Sequence, residues 1–286
     1  MLKKYINRLT PVIKTVVWFL RANESDLKIT PKSLQGTNMD YTKFIVLAHA
    51  RSGSSMVIGT LRRHPNVIGF GELFLSQRVV FNIKDFDNNS GKILYLRNKY
   101  PTNFLEKSIF TYYRKDVEAV GFKLFPEQLE KGRFRIIWKW LESNKDIKII
   151  HLKRENLLAT YTSLLIAVKT GTYGITTKSK RTNTTVTVDY KKCLHEFQKQ
   201  KAHHDNITER LKGHDILEVS YEEMIKDIDA HTTKFQNFLN VKSHSIKINT
   251  VKNQVRSLSE VITNYDDLRN KFSNTEWSYL FDEEST

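Results

Sequence analysis

One cysteine in 286 residues, Cys193, cannot form an intramolecular disulfide and cannot build a cysteine-ligated zinc site. That usage fits a reducing compartment, and the cytoplasm is the expected location. Long hydrophobic runs are also missing. The longest early run, Val16 to Leu20, spans five residues between Thr15 and Arg21, against the roughly 20 a bilayer-crossing helix needs. A membrane anchor and a secretory leader are therefore not expected. Residues 1–21 contain no acidic side chain, whereas Lys3, Lys4, Arg8, Lys14 and Arg21 alternate with aliphatic residues, Trp18 and Phe19. Nor is there a zinc-finger spacing, an RNP motif or a heptad run.

What is present is positive charge and apolar content. The net charge is +15 and 40% of residues are hydrophobic, enough for one large core. Strand-like and helix-like segments alternate as an α/β domain requires. Residues 41–286 are read as that domain. Residues 1–40 are read as a basic amphipathic N-terminal extension, helical in pattern. Its apolar face is expected to pack on its own domain, with peripheral contact to an anionic membrane through residues 1–21, or pairing in a homodimer, as alternatives. A basic face also admits nucleic-acid binding, but the best-placed charges lie beside candidate anion loops, so nucleic acid is not expected as a partner.

Lys43 to Pro65, KFIVLAHARSGSSMVIGTLRRHP, is the most informative stretch. Phe44 to Ala48 are five consecutive apolar residues, as in a parallel strand covered on both faces. His49 to Ser55 then keeps side chains small, so backbone N–H groups can close around an oxyanion at the start of a helix beginning near Ser54. Arg51 and the hydroxyls of Ser52, Ser54 and Ser55 face that anion. A Walker nucleotide loop would need G-x-x-x-x-G-K-[ST], and neither the leading glycine nor the Gly-Lys pair is there. A magnesium-dependent nucleotide kinase is thus the less favoured reading.

The series Arg51, Ser52, Gly53, Ser54, Ser55 instead resembles the 5′-phosphosulfate loop of PAPS-dependent sulfotransferases. Four more segments resemble one branch of that family, in the right order: the branch that includes rhizobial nodulation and mycobacterial trehalose sulfotransferases. These are HPNVIGFGELF (64–74), VGFKLFPEQL (120–129), IKIIHLKRENLLATYTSLLIA (147–167), and a C-terminal third containing ILEVSYEEMIKD, FLNV and VKNQVRSLSEVITNYDDLRNKFSNTEW. The resemblance spans roughly residues 43–280. It implies a P-loop-like three-layer α/β sandwich with a central, mainly parallel sheet flanked by helices. It also implies transfer of a sulfuryl group from PAPS to an acceptor hydroxyl or nitrogen, with release of 3′,5′-ADP.

Site expectations follow from both sources. Arg154 lies just past the Ile147–Leu152 strand, where open parallel sheets bind ligands. Ser163 is nine residues further on and reaches the same anion if a helix starts near Arg154. Many sulfotransferases use a spacing one residue shorter, which selects Thr162, but the branch favours Ser163. The resemblance makes Glu72 the base that takes the acceptor proton, with His49 and His64 as competitors. His64 also has a structural explanation before Pro65, at a helix end. Arg51 is aimed at the negative oxygen of the leaving nucleotide, and Lys123 lines the cleft as a second cation.

Lys252 and Arg256 stand where the branch has a basic loop that closes over the nucleotide, although the branch usually has a proline in place of Val255. Residues 171–188 suggest an acceptor lid, with Tyr173, Lys178, Lys180 and Arg181 as contacts. Residues 189–212 read as a polar amphipathic helix without catalytic spacing, and Tyr221 and Glu222 as a structural turn. No ligand cluster requires a metal. The resemblance suggests sugars and glycolipids as acceptors, small polar metabolites fit as well, and the surplus positive charge would suit an anionic one.

Overall fold

The computed structural model describes residues 19, 21–84, 86, 91–130, 132–173, 183–246 and 256–282. Strand β1 (Gln35–Asn38) is short and bridges to Tyr113. In β2 (Thr42–Ala48) the run Phe44 to Ala48 is buried throughout, as a strand covered on both faces must be. β4 (Ala119–Leu124) is buried along its whole length and β5 (Lys148–Lys153) through its middle, with one basic residue enclosed in each, Lys123 and His151. With β3 (Val67–Glu72) and β6 (Ile216–Ser220) they form a five-stranded sheet, ordered β3-β4-β2-β5-β6, in which every neighbouring pair is parallel.

Helices cover both faces. Helices Ser54–Leu61 and Ile228–Phe238 pack on one side, around Phe44, Val46, Val57, Ile58 and Phe235. Helix Ile136–Ser143 and the C-terminal part of helix Tyr190–Arg210 pack on the other, with Ile45, Leu47, Phe122, Trp140 and Ile207. This is the three-layer α/β sandwich expected from the sequence. A third cluster, around Leu158, Phe197, Phe272 and Trp277, joins the helices Leu157–Thr170 and Tyr190–Arg210 to the C-terminal segment. Among the described residues no helix is long and apolar enough to cross a membrane. Residues 1–18, which carry most of the N-terminal basic pattern, lie outside the described residues. Further along that segment, Asn23 caps the 3-10 turn Glu24–Leu27, and Leu27 is fully buried in the main core.

Two features of the sheet position the site. The chain leaves β2 toward β3 on one side, and β5 lies on the other, so the crevice between the C-terminal ends of β2 and β5 is the switch point of this open sheet. The pairing of β3 with β4 also shifts register: Phe70 is opposite Phe122, and Glu72, not Gly71, is opposite Lys123. A bulge of this kind re-aims the side chain that follows it. Gly71 is required there, because a Cβ would lie 2.7 Å from the Val80 carbonyl oxygen.

Candidate active site

The loop after β2 turns through two left-handed residues, Arg51 at φ +69° and Gly53 at φ +92°. Only Gly adopts this region freely, and at Gly53 a Cβ would also come within 2.4 Å of the Tyr221 ring. The hydroxyl of Ser52 donates to the His49 carbonyl at 2.6 Å, closing the turn from inside. That hydroxyl is therefore spent on the loop itself. The helix Ser54–Leu61 begins at the expected residue, and Gly53 at its N-cap supplies no side-chain acceptor. The Met56 N–H already donates to the Gly53 carbonyl at 2.8 Å, so the N–H groups of Ser54 and Ser55 form the positive end of the helix dipole.

Two arginines flank this opening. Arg51 Nε donates to Ser163 Oγ at 3.0 Å, and its Nη1 donates to the Tyr173 carbonyl. Arg154 Nη1 donates to the Arg51 carbonyl at 3.0 Å, and its guanidinium lies 4.7 Å from the centre of the Tyr221 ring. Glu222 Oε1 is 3.8 Å from Arg154 Nε, and the same carboxylate accepts the N–H groups of Glu155 and Asn156. Burial lowers the pKa of both guanidiniums; Arg51 is lowered further by the charge of Arg154, whereas Tyr221 and Glu222 partly offset the shift at Arg154. Two cations held together in this way favour an anion between them. Ser163 faces this group, whereas Thr162 is buried with no partner for its hydroxyl.

On the other side of the loop stands Lys123, 5% exposed. Its Nζ is 2.9 Å from Glu72 Oε1 and donates to Ser55 Oγ at 3.0 Å. Gln128 Nε2 donates to the other oxygen of Glu72 at 3.3 Å. One ammonium thus ties the candidate base to the anion loop.

His49 is 2% exposed, with its Nδ1 against Glu127 Oε1. Its ring stacks on His203 at 5.0 Å and meets His204 edge-on, and His204 Nδ1 in turn lies 3.2 Å from His151 Nε2. Burial, then the neighbouring imidazoles, push His204 down to about 3 and lower His203 as well. Burial raises Glu218, but hydrogen bonds from His151 and Lys153 outweigh it and bring the group down to about 2. Among the described residues no group of three or more His, Cys, Asp or Glu side chains is arranged to hold a metal ion. Sequence reasoning missed this cluster, since five segments contribute to it. The adjacent pair His203-His204 on a polar helix was the only local signal.

The other candidates lie as follows. His64 uses both ring nitrogens, on the Lys242 carbonyl at 2.7 Å and the Asn66 N–H at 3.2 Å, which is a packing role. Arg256 donates to the Glu260 carbonyl at 2.6 Å. Tyr173 meets Arg51 through its carbonyl, while its side chain is largely exposed. Lys178, Lys180, Arg181 and Lys252 lie outside the described residues. Tyr221 and Glu222, read from sequence as a structural turn, instead hold Arg154 from below.

No protein-family model matches the chain. Among curated proteins it is similar to Nodulation protein H of Rhizobium tropici, 24% identical over 245 residues, covering 84% of this chain and 92% of the relative. Among solved structures, a sulfotransferase from Alicyclobacillus acidocaldarius aligns with a TM-score of 0.46 and 13% identity, over 81% of this chain and 91% of that one. A mouse sulfotransferase complexed with PAP aligns with a TM-score of 0.42 and 15% identity, over 88% and 90% of the two chains. Superpositions as loose as these assign no residues.

Proposed function

We propose that this chain, a sulfotransferase resembling the nodulation branch over most of its length, takes a sulfuryl group from PAPS and delivers it in line to an acceptor hydroxyl or nitrogen. The observation that carries the reading is Lys123, whose ammonium joins Glu72 to Ser55 of the anion loop. A proton acceptor is thereby held beside an oxyanion cradle, as sulfuryl transfer requires and as a simple anion-binding loop does not.

The residues present suit such a donor. The open N-terminus of helix Ser54–Leu61, with the N–H groups that follow Gly53, would take the 5′-phosphosulfate, and Arg154 with Ser163 would take the 3′-phosphate. When bound, PAPS supplies an activated sulfuryl group on a nucleotide leaving group. Glu72 accepts the acceptor proton as the new oxygen–sulfur bond forms. A shift of the Lys123 ammonium toward an anion at Ser55 would free the carboxylate for the acceptor when transfer begins. Arg51 and Lys123 stabilise charge that grows on the departing oxygen, and such fixed donors act most strongly in the transition state. His49, turned inward on Glu127, supports the loop from behind.

A thermal-shift titration with 3′,5′-ADP, 5′-ADP and ATP with magnesium tests the donor. A ligand at a hundred times its dissociation constant adds about 2.7 kcal/mol. Selective stabilisation by 3′,5′-ADP is expected. A larger response to ATP with magnesium would turn the assignment to a kinase.

A further inference from the structure

A cavity of about 230 Å³ lies beside the anion loop, bounded by Phe125 and Glu127, by Tyr161 and Leu164 of the helix Leu157–Thr170, and by Glu196 and Lys199 of the helix Tyr190–Arg210. At about 30 Å³ per water it has room for one ring-sized group. Its wall residue Phe125 has Lys123 Nζ 5.2 Å from the ring centre, so one side chain separates the cavity from the Lys123–Glu72 pair. The cavity borders the proposed reacting position.

Its charge runs opposite to that of the whole chain. Among the described residues the one cation in the wall, Lys199, is already paired with Glu130 at 3.2 Å. Glu196 accepts the Gln200 amide at 3.1 Å. Glu127 has one oxygen on His49, while the other is buried with no hydrogen-bond partner. A carboxylate in the cavity wall favours an occupant that brings N–H or O–H donors. Burial alone would raise Glu127, yet the His49 hydrogen bond and charge keep its pKa below the usual carboxylate range. An occupant bearing a carboxylate, phosphate or sulfate there would meet two carboxylates, and the cation among the described wall residues, Lys199, is already engaged with Glu130. Net charge governs approach from a distance, but local charge governs the fit.

We propose that this cavity takes the acceptor, and that Glu127 makes it select a non-anionic head group rich in hydrogen-bond donors, with a protonated amine preferred to a neutral group. The proposal rests on the sulfotransferase reading, so 3′,5′-ADP binding is measured first. The protein saturated with 3′,5′-ADP is then titrated by NMR with three methyl β-glycosides that share one ring: the glucosaminide, the N-acetylglucosaminide and the glucuronide. The glucosaminide is expected to bind at least about tenfold more tightly than the glucuronide, a gap of about 1.4 kcal/mol, with the N-acetylglucosaminide between them.

Glu127→Gln should narrow that gap to below about threefold, read at 3′,5′-ADP saturation because the variant also alters the His49 contact behind the loop. Glu196→Gln, which leaves the His49 contact alone, should narrow it in part. The proposal is overturned if the glucuronide binds as well as the glucosaminide, if neither variant changes the ratio, or if no glycoside binds. Failure of 3′,5′-ADP itself to bind would remove the sulfotransferase reading and this proposal together. Nucleotide binding without glycoside discrimination would remove only this proposal.

Discussion

Deleting the ammonium of Lys123 separates a catalytic centre from a structural strut. Its Nζ is 2.9 Å from Glu72 Oε1 and 3.0 Å from Ser55 Oγ, and the side chains of Lys123 and Glu72 are 6% and 21% exposed. Lys123→Met keeps most of the stem volume and removes the charge. Breaking a fully buried ion pair costs about 3–5 kcal/mol, and partial exposure of the carboxylate brings the expected loss to about 1–3 kcal/mol. In a chain of this size that corresponds to a Tm lower by about 2–10 °C.

Turnover should fall further than stability does. Removing one fixed donor at a site of developing charge typically lowers kcat by about 10²–10³. The double variant Glu72→Gln/Lys123→Met removes both charges, so it should recover part of the stability and none of the activity. Urea denaturation measures the first quantity, and release of 3′,5′-ADP measures the second. If Lys123→Met turns over within about threefold of the parent, the transition-state role fails. If the double variant is less stable than Lys123→Met, the account of the ion pair fails.

Glu72→Gln should bind 3′,5′-ADP normally and lose about 10²–10⁴ in kcat; full activity would move the base elsewhere. Arg154→Ala should weaken 3′,5′-ADP about 10- to 150-fold, the equivalent of a charge-assisted hydrogen bond of about 1.5–3 kcal/mol, as read by calorimetry. Gly53→Ala places a Cβ 2.4 Å from the Tyr221 ring at φ +92°. The left-handed conformation alone costs about 1–2 kcal/mol, and nucleotide affinity should fall as well, because Tyr221 supports Arg154; unchanged affinity would refute that support. The acid limb of stability should divide into two windows. His204 is lowered in the folded state from 6.5 to about 3, so its stabilising effect is complete above 6.5 and is lost as pH falls toward 3. Glu218 is lowered from 4.5 to about 2, so its effect is lost only below 4.5. Between pH 6.5 and 4.5 the fall of the urea midpoint with pH should flatten in His204→Asn, whereas Glu218→Gln should lower the midpoints across that window without changing their slope.

Local pattern was enough wherever one segment carries its own reason. Phe44 to Ala48 can only be a strand covered on both faces, small residues must follow it for backbone N–H groups to face an anion, and Ser54 starts the helix. Arg154 precedes the helix Leu157–Thr170 and Ser163 lies within it, and both contact Arg51. The pairing of Glu72 with Lys123 could not be read this way. It depends on a bulge at Gly71 that shifts β3 against β4, and register between strands distant in sequence is a tertiary property. Tyr221 and Glu222 look like an ordinary turn until β6 is laid beside β5 and brings them under Arg154. The imidazole cluster and the acidic cavity draw on the loop after β2 and on helices far along the chain. Hydrophobic periodicity determined the elements of this protein, whereas the contacts between polar side chains from distant elements were decided only when the strands paired and the helices settled on the sheet.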